Sequence, residues 1–241
     1  MSTQSIQKFN IHELKDSQFI NIISKRNTEE NARNIIKKIL NHYEDKISRY
    51  VIISPSTEIN NFYNNIMSND ATCKFYNEYN SSVIQELLDM QQYLICNKTE
   101  NYKSVLILDN CFSQIKLPNK QFDDLIYNSR HYGITVICLS QSVLNLPPDY
   151  RNNSDYVILL DLNGKELIRF WNSYANVFLT YNSFKEIFEE LVKNNCAMII
   201  DNSIKELNDC VTFIECSTSQ NNNIAFDNNW LDYINKFFCC F

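Results

Sequence analysis

Six short apolar runs, at residues 19–23, 50–53, 105–108, 134–139, 156–160 and 197–200, punctuate a polar chain and are built largely of Val and Ile. They are continuous rather than alternating, as expected of strands covered on both faces of a parallel sheet. Four stretches between them carry apolar residues at helical spacing: 28–43, with Ile35, Ile36, Ile39 and Leu40; 82–95, with Val83, Leu87, Leu88 and Leu94; 122–130; and 184–192. The βαβα alternation predicts an α/β fold, a mostly parallel central sheet with helices on both faces and right-handed crossovers. Ligands are then expected beyond the carboxyl ends of the strands. From 202 to 229 the pattern is lost, and 230–241 is amphipathic and aromatic. This divides the chain into a domain at 1–200 and a C-terminal extension at 201–241, expected to dock on a partner or, the plainer reading, back on its own core. No internal repeat is visible.

Length and composition fit this picture: 241 residues with 44% hydrophobic content suffice for one core. No apolar run approaches the ~18 residues of a membrane span, and the N-terminus shows no secretory or organellar pattern, so an intracellular protein is expected. The nine cysteines are scattered without a CxxC pair, which points to buried thiols rather than zinc; only Cys239-Cys240 stand apart. The formal charge of −6 is the wrong sign for a monomer that wraps nucleic acid by itself, although a local basic surface formed by Lys25, Arg26, Arg130 and Arg151 stays open. Asparagine is abundant and glycine occurs twice, at Gly133 and Gly164. The asparagine bias reads as a trace of genome composition rather than of chemistry.

Candidate chemistry gathers at predicted strand ends. Asp109 closes the apolar run Val105-Leu106-Ile107-Leu108, where a carboxylate can hold the water shell of Mg²⁺; capping the following turn is the plainer role. Gln141 follows the next run and can orient a water or form a turn. Arg130 ends a predicted helix, either favourable to its macrodipole or free to reach a phosphate on a neighbouring subunit. Gly133 suits a left-handed position in the turn that follows.

Taken in order, Ser54-Pro55-Ser56-Thr57-Glu58 with Asn60 and Tyr63, Leu106-Ile107-Leu108-Asp109-Asn110-Cys111, Ser129-Arg130-His131-Tyr132-Gly133-Ile134, Leu139-Ser140-Gln141, and the segment from Leu146-Pro147-Pro148 to Asp155-Tyr156 resemble the DNA-packaging ATPases of nucleocytoplasmic large DNA viruses. These form the poxvirus-type branch of the FtsK-HerA superfamily of P-loop NTPases, and the resemblance runs from about residue 9 to about 191. It implies a RecA-like motor domain that assembles into a ring and translocates DNA with ATP and Mg²⁺. Asp109 would be the Walker B aspartate, Gln141 the polar sensor, and Arg130 or Arg151 the arginine acting on a neighbour.

Two departures stand against motor activity. The eight positions matching the phosphate loop are Ser24, Lys25, Arg26, Asn27, Thr28, Glu29, Glu30 and Asn31. They lack the glycines that let the backbone approach phosphate, the lysine and the magnesium-binding hydroxyl. Glu30 stands at the lysine position. At ~4 Å and an effective dielectric of ~20 a charge pair is worth roughly 4 kcal/mol, so exchanging an attraction for a repulsion could exceed the binding energy of a micromolar ligand. Asn110 stands where the family places a second acid, and an amide cannot serve as a base. Asn27 and Glu30 instead fit a capping box, with Asn27 as N-cap, that would close the loop on itself.

The expectation is therefore an inactive packaging-ATPase homologue needing no cofactor. It would serve as a structural or regulatory component of genome packaging or of the virion, in a homo- or hetero-oligomer with a packaging ATPase or capsid proteins, located in the host cytoplasm's viral factory or in the particle. The alternatives are an active motor with a divergent loop, using ATP and Mg²⁺, and an ATP-independent protein that binds DNA or capsid.

Overall fold

A computed structural model describes residues 6–66, 72–175, 177–178, 180–204 and 210–216. In chain order the elements are β1 (Gln7–Lys8), β2 (Phe19–Ile23), α1 (Glu29–Tyr43), β3 (Arg49–Ile53), α2 (Thr57–Asn64), β4 (Thr72–Tyr76), α3 (Ser81–Cys96), β5 (Ser104–Asp109), α4 (Lys120–Asn128), β6 (Ile134–Ser140), α5 (Pro148–Arg151), β7 (Tyr156–Leu159), α6 (Gly164–Tyr174), α7 (Tyr181–Lys193), β8 (Cys196–Asp201) and β9 (Val211–Glu215). The strands form one sheet in the order β1-β9-β8-β7-β2-β6-β5-β3-β4. From β7 to β4 every pairing is parallel; β8 runs antiparallel to both β7 and β9, and β1 is parallel to β9. The expected α/β fold with a mostly parallel sheet is what forms.

Period-2 alternation within buried strands sorts side chains into two layers. On β2, Ile20 and Ile22 join a core with Ile35, Ile36 and Ile39 of α1 and Tyr63 of α2, whereas Phe19 and Ile23 face the cores under α3, α4, α6 and α7. Each large apolar side chain removed from water in this way contributes about 1.5–3 kcal/mol. All five residues of β2 are buried, including Asn21, whose amide donates to the Tyr174 hydroxyl at 2.8 Å. Asparagine also has structural work at helix starts: Asn80, Asn119 and Asn163 accept backbone amides at the N-caps of α3, α4 and α6, each worth ~1 kcal/mol. Part of the abundant asparagine is thus used by the fold. Gly133 takes φ +67 in the turn between α4 and β6, as its position predicts.

The sheet does not stop at residue 200. β9 lies beyond that boundary, pairs with β8 from Ile200↔Val211 to Cys196↔Glu215, and supplies Val211 and Phe213 to one core and Ile214 to the other, which Cys216 just after the strand also joins. Residues 211–216 are therefore part of the same sheet and cores as the residues before 200, while the aromatic segment 230–241, Cys239 and Cys240 lie outside the described residues. Of the described cysteines none is in a disulfide: Cys111, Cys138, Cys196, Cys210 and Cys216 are buried, Cys73 is half-buried and Cys96 exposed. No helix among the described residues is long and apolar enough to cross a membrane.

Candidate functional site

Parallel pairing brings the carboxyl ends of β2, β5 and β6 to one edge, in the registers Ile23↔Ser140 and Asp109↔Leu139. This edge receives Ser24 after β2, Asp109 and Asn110 at the end of β5, and Gln141 after β6. The Ser24 amide donates to the Ser140 carbonyl at 3.0 Å, the Lys25 amide to the Asp161 carbonyl at 3.2 Å and the Asn110 amide to the Leu139 carbonyl at 2.9 Å, so the loop starts are stitched together. Asn110 sits at φ +55, a left-handed conformation that asparagine tolerates better than most residues.

Asp109 is fully buried, and its carboxylate is saturated by protein groups. The Arg33 guanidinium grips it with two contacts, Nε to Oδ2 at 3.0 Å and Nη2 to Oδ1 at 3.3 Å. The Tyr63 hydroxyl donates to Oδ2 at 2.8 Å and the Asn110 amide to Oδ1 at 3.2 Å. Arg33 also pairs with Glu29 one helical turn earlier, at 3.0 Å. The other Glu29 oxygen accepts from the side-chain amides of Asn110, at 3.1 Å, and Gln141. Two carboxylates, one guanidinium, two amides and a phenol therefore form a closed cluster with a formal charge of −1. Burial alone would lower the Arg33 pKa, but the hydrogen bond and charge of Asp109 outweigh it and hold Arg33 above its ordinary value. Burial and then the Asp109 charge push Tyr63 well above the usual phenol range, so it stays a donor. The Cys111 thiol is pushed up to about 12, again by burial first and the Asp109 charge second.

The loop from Ser24 to Asn31 is closed, but by other residues than the capping box predicts. Residues Arg26–Thr28 form a 3-10 turn, with the Thr28 amide donating to the Lys25 carbonyl at 3.0 Å. That turn places Asn27 inside it and makes Thr28 the N-cap of α1, with no side-chain cap bond. The hydroxyls of Ser24 and Thr28 are hydrogen-bonded at 2.9 Å, and Thr28 Oγ1 donates to the Lys25 carbonyl at 3.1 Å. Lys25 is ion-paired with Asp161 after β7, and the Asn31 amide donates to Asn195 at 3.3 Å. It is Glu29, not Glu30, whose carboxylate turns into the site; Glu30, Arg26 and Asn27 are exposed.

The other predicted residues lie elsewhere. Arg130 is at the amino edge of the sheet, where it pairs with Asp155 and donates to the Asn153 carbonyl at 3.3 Å. The seven residues of β6 separate it from Gln141 in its own chain by about 20 Å. Arg151 donates to Ser173 at 2.7 Å and lies 5.8 Å from the centre of the Tyr174 ring. Lys25, Arg26, Arg130 and Arg151 consequently do not build one basic surface. Sequence reasoning missed Arg33 and assigned no role to Tyr63; the signal for Arg33 was a Glu29/Arg33 pair at i,i+4 beside a glycine-free loop.

No protein-family model matches the chain. It is 26% identical over 211 residues to the uncharacterized protein L437 of Acanthamoeba polyphaga mimivirus, covering 82% of this chain and 71% of that protein. It is likewise 26% identical over 158 residues to the uncharacterized protein 075L of Invertebrate iridescent virus 6, covering 65% of this chain but only 60% of that protein. Among solved structures, the DNA-packaging ATPase B204 of Sulfolobus Turreted Icosahedral Virus superposes with a TM-score of 0.61 at 17% identity, covering 84% of this chain and 98% of B204. The genome packaging NTPase B204 of Sulfolobus turreted icosahedral virus 2, in complex with AMP, gives 0.58 at 17% identity, covering 86% and 98%. The sequence relatives are proteins of large DNA viruses, and the fold of this chain is the P-loop NTPase fold of viral genome-packaging ATPases.

Proposed function

We propose that this chain is a packaging-ATPase-like protein that does not turn over nucleotide and acts as a structural or regulatory component of viral genome packaging or of the virion. The observation that carries the proposal is the two-contact grip of Arg33 on Asp109. The carboxylate that would hold a magnesium hydration shell is neutralised from within, and Glu29 adds a negative charge beside it. A donor set of this kind does not fit a Mg-nucleotide, because cation and polyphosphate would both have to displace internal partners. Asn110 suits the closed state: an acid there would crowd a third carboxylate against Asp109 and Glu29, whereas its amide donates to both. The partner is an active packaging ATPase or a capsid protein of the same virus, and the site of action is the viral factory or the particle.

The test is purified protein with Mg-ATP. A ligand at 100 times its Kd adds ~2.7 kcal/mol, which for a chain of this size raises Tm by about 5–10 °C. The expected outcome is no Tm shift and no phosphate release above that of Asp109→Ala. Hydrolysis that is abolished in Asp109→Ala overturns the proposal in favour of an active motor with a divergent loop.

A further inference from the structure

The closed cluster does not end at the strand edge. Gln141, which donates to Glu29, is followed by Ser142 and Val143, whose hydroxyl and backbone amide donate to Glu166 Oε2 at 3.2 and 3.0 Å. Glu166 in the first turn of α6 is also ion-paired with Arg169. The route runs from Asp109 to Arg33, Glu29, Gln141, the loop at 142–146 and then α6, each step a hydrogen bond or ion pair or one residue along the chain. It starts under α1 and α2, which cover one face of the sheet, and ends on α6, which covers the other. At its far end Leu144 and Ile168 are exposed, 52% and 46%.

We propose that Arg33 and Glu29 are positioning residues that act as a built-in ligand: through Gln141 they set the conformation of the 142–146 loop and its attachment to α6. This inference rests on the reading of the site as closed and nucleotide-free, and adds what the closure does. Three side chains from α1 and the β6 edge replace an exchangeable ligand, so the two helical layers are held in one fixed relation across the carboxyl edge. A change in nucleotide would leave that relation untouched.

Hydrogen exchange resolved by peptide tests the route in the full chain. Glu29→Ala is expected to speed exchange at 142–146 by tenfold or more. Glu29→Gln keeps one oxygen to accept from Gln141 and Asn110 but turns its NH2 toward Arg33, and is expected to loosen 142–146 clearly less than Glu29→Ala. Peptides around Arg130 and Asp155, at the opposite edge, are expected to be unchanged in both variants. Gln141 is exposed, so Gln141→Ala leaves the buried Arg33–Asp109 pair in place and serves as the variant that keeps its fold; it should loosen 142–146 and leave exchange in α1 from Arg33 onward as in the parent. Unchanged exchange at 142–146 in both Glu29→Ala and Gln141→Ala overturns the inference, as does equal loosening by Glu29→Gln and Glu29→Ala. None of these outcomes depends on phosphate release, so failure of the route and failure of the inactive-site reading are separately visible.

Discussion

At the scale of single residues the decisive contact is one the sequence hides. Arg33 and Asp109 are 76 positions apart, and Arg33 reads from its own helix as the solvent-facing partner of Glu29 at i,i+4. In place, its side chain is 13% exposed and Asp109 is fully buried. Removing the cation from such a pair leaves an uncompensated buried carboxylate, which typically costs about 3–5 kcal/mol. Arg33→Ala is expected to lose that much in urea unfolding. The double variant Arg33→Met with Asp109→Asn is expected to recover part of it, because the buried Asp109 position then needs no counter-charge while Glu29 still lacks its cation. A loss below ~1 kcal/mol for Arg33→Ala would place the pair with ordinary surface ion pairs and contradict its burial. What the sequence did show at this scale was an absence: a loop without glycine or the phosphate-binding lysine. It could not show which side chains close that loop, since closure depends on a 3-10 turn that hands the N-cap from Asn27 to Thr28.

At the scale of elements, legibility follows burial on both faces. The six continuous apolar runs all became strands, because a strand covered on two sides has no polar positions to blur it. β4 escaped notice because it is the half-exposed edge strand Thr72-Cys73-Lys74-Phe75-Tyr76, and β1 is two exposed residues whose pairing depends entirely on β9. Helix α2 buries only Tyr63, too little to leave a periodic stripe, whereas α6 does carry Leu167, Phe170 and Tyr174 on one side within a polar, glycine-led segment. The start of α6 yields a pH prediction. Burial disfavours ionised Glu166, but the Val143 amide, Arg169 and the Ser142 hydroxyl outweigh it and hold its pKa below the usual carboxylate value. With a folded value below the unfolded one (~4.3), the unfolded chain binds more protons between the two, so this contribution is present above the unfolded value and lost as pH falls through the folded one. Glu166→Gln is therefore expected to lower the urea midpoint at pH 7, with the gap narrowing below about pH 4 and closing once both carboxyls are protonated. A gap independent of pH would mean that the charge of Glu166 contributes nothing to the attachment of the 142–146 loop.

At the scale of the whole molecule the sheet has a long parallel body and a short mixed flank, and the flank carries the sheet beyond residue 200. Composition placed the boundary at residue 200 because 202–229 is largely polar, and five residues of strand inside a polar stretch do not announce themselves. Their contribution is nevertheless structural: Val211, Phe213 and Ile214 are buried, and β9 is the strand that holds β1, with the Phe9 amide donating to the Phe213 carbonyl at 2.8 Å. Three such side chains are worth about 4.5–9 kcal/mol in buried apolar surface, comparable with the ~5–15 kcal/mol net stability of a typical domain. Their removal would also leave β8 as an unpaired, apolar edge open to association. A chain cut after Ile200 is thus expected to lose the cooperative thermal transition of the full protein and to elute as aggregate in size-exclusion chromatography. A truncated chain that stayed monomeric and melted within a few degrees of the parent would show that β9 is an accessory strand, and the earlier boundary would stand.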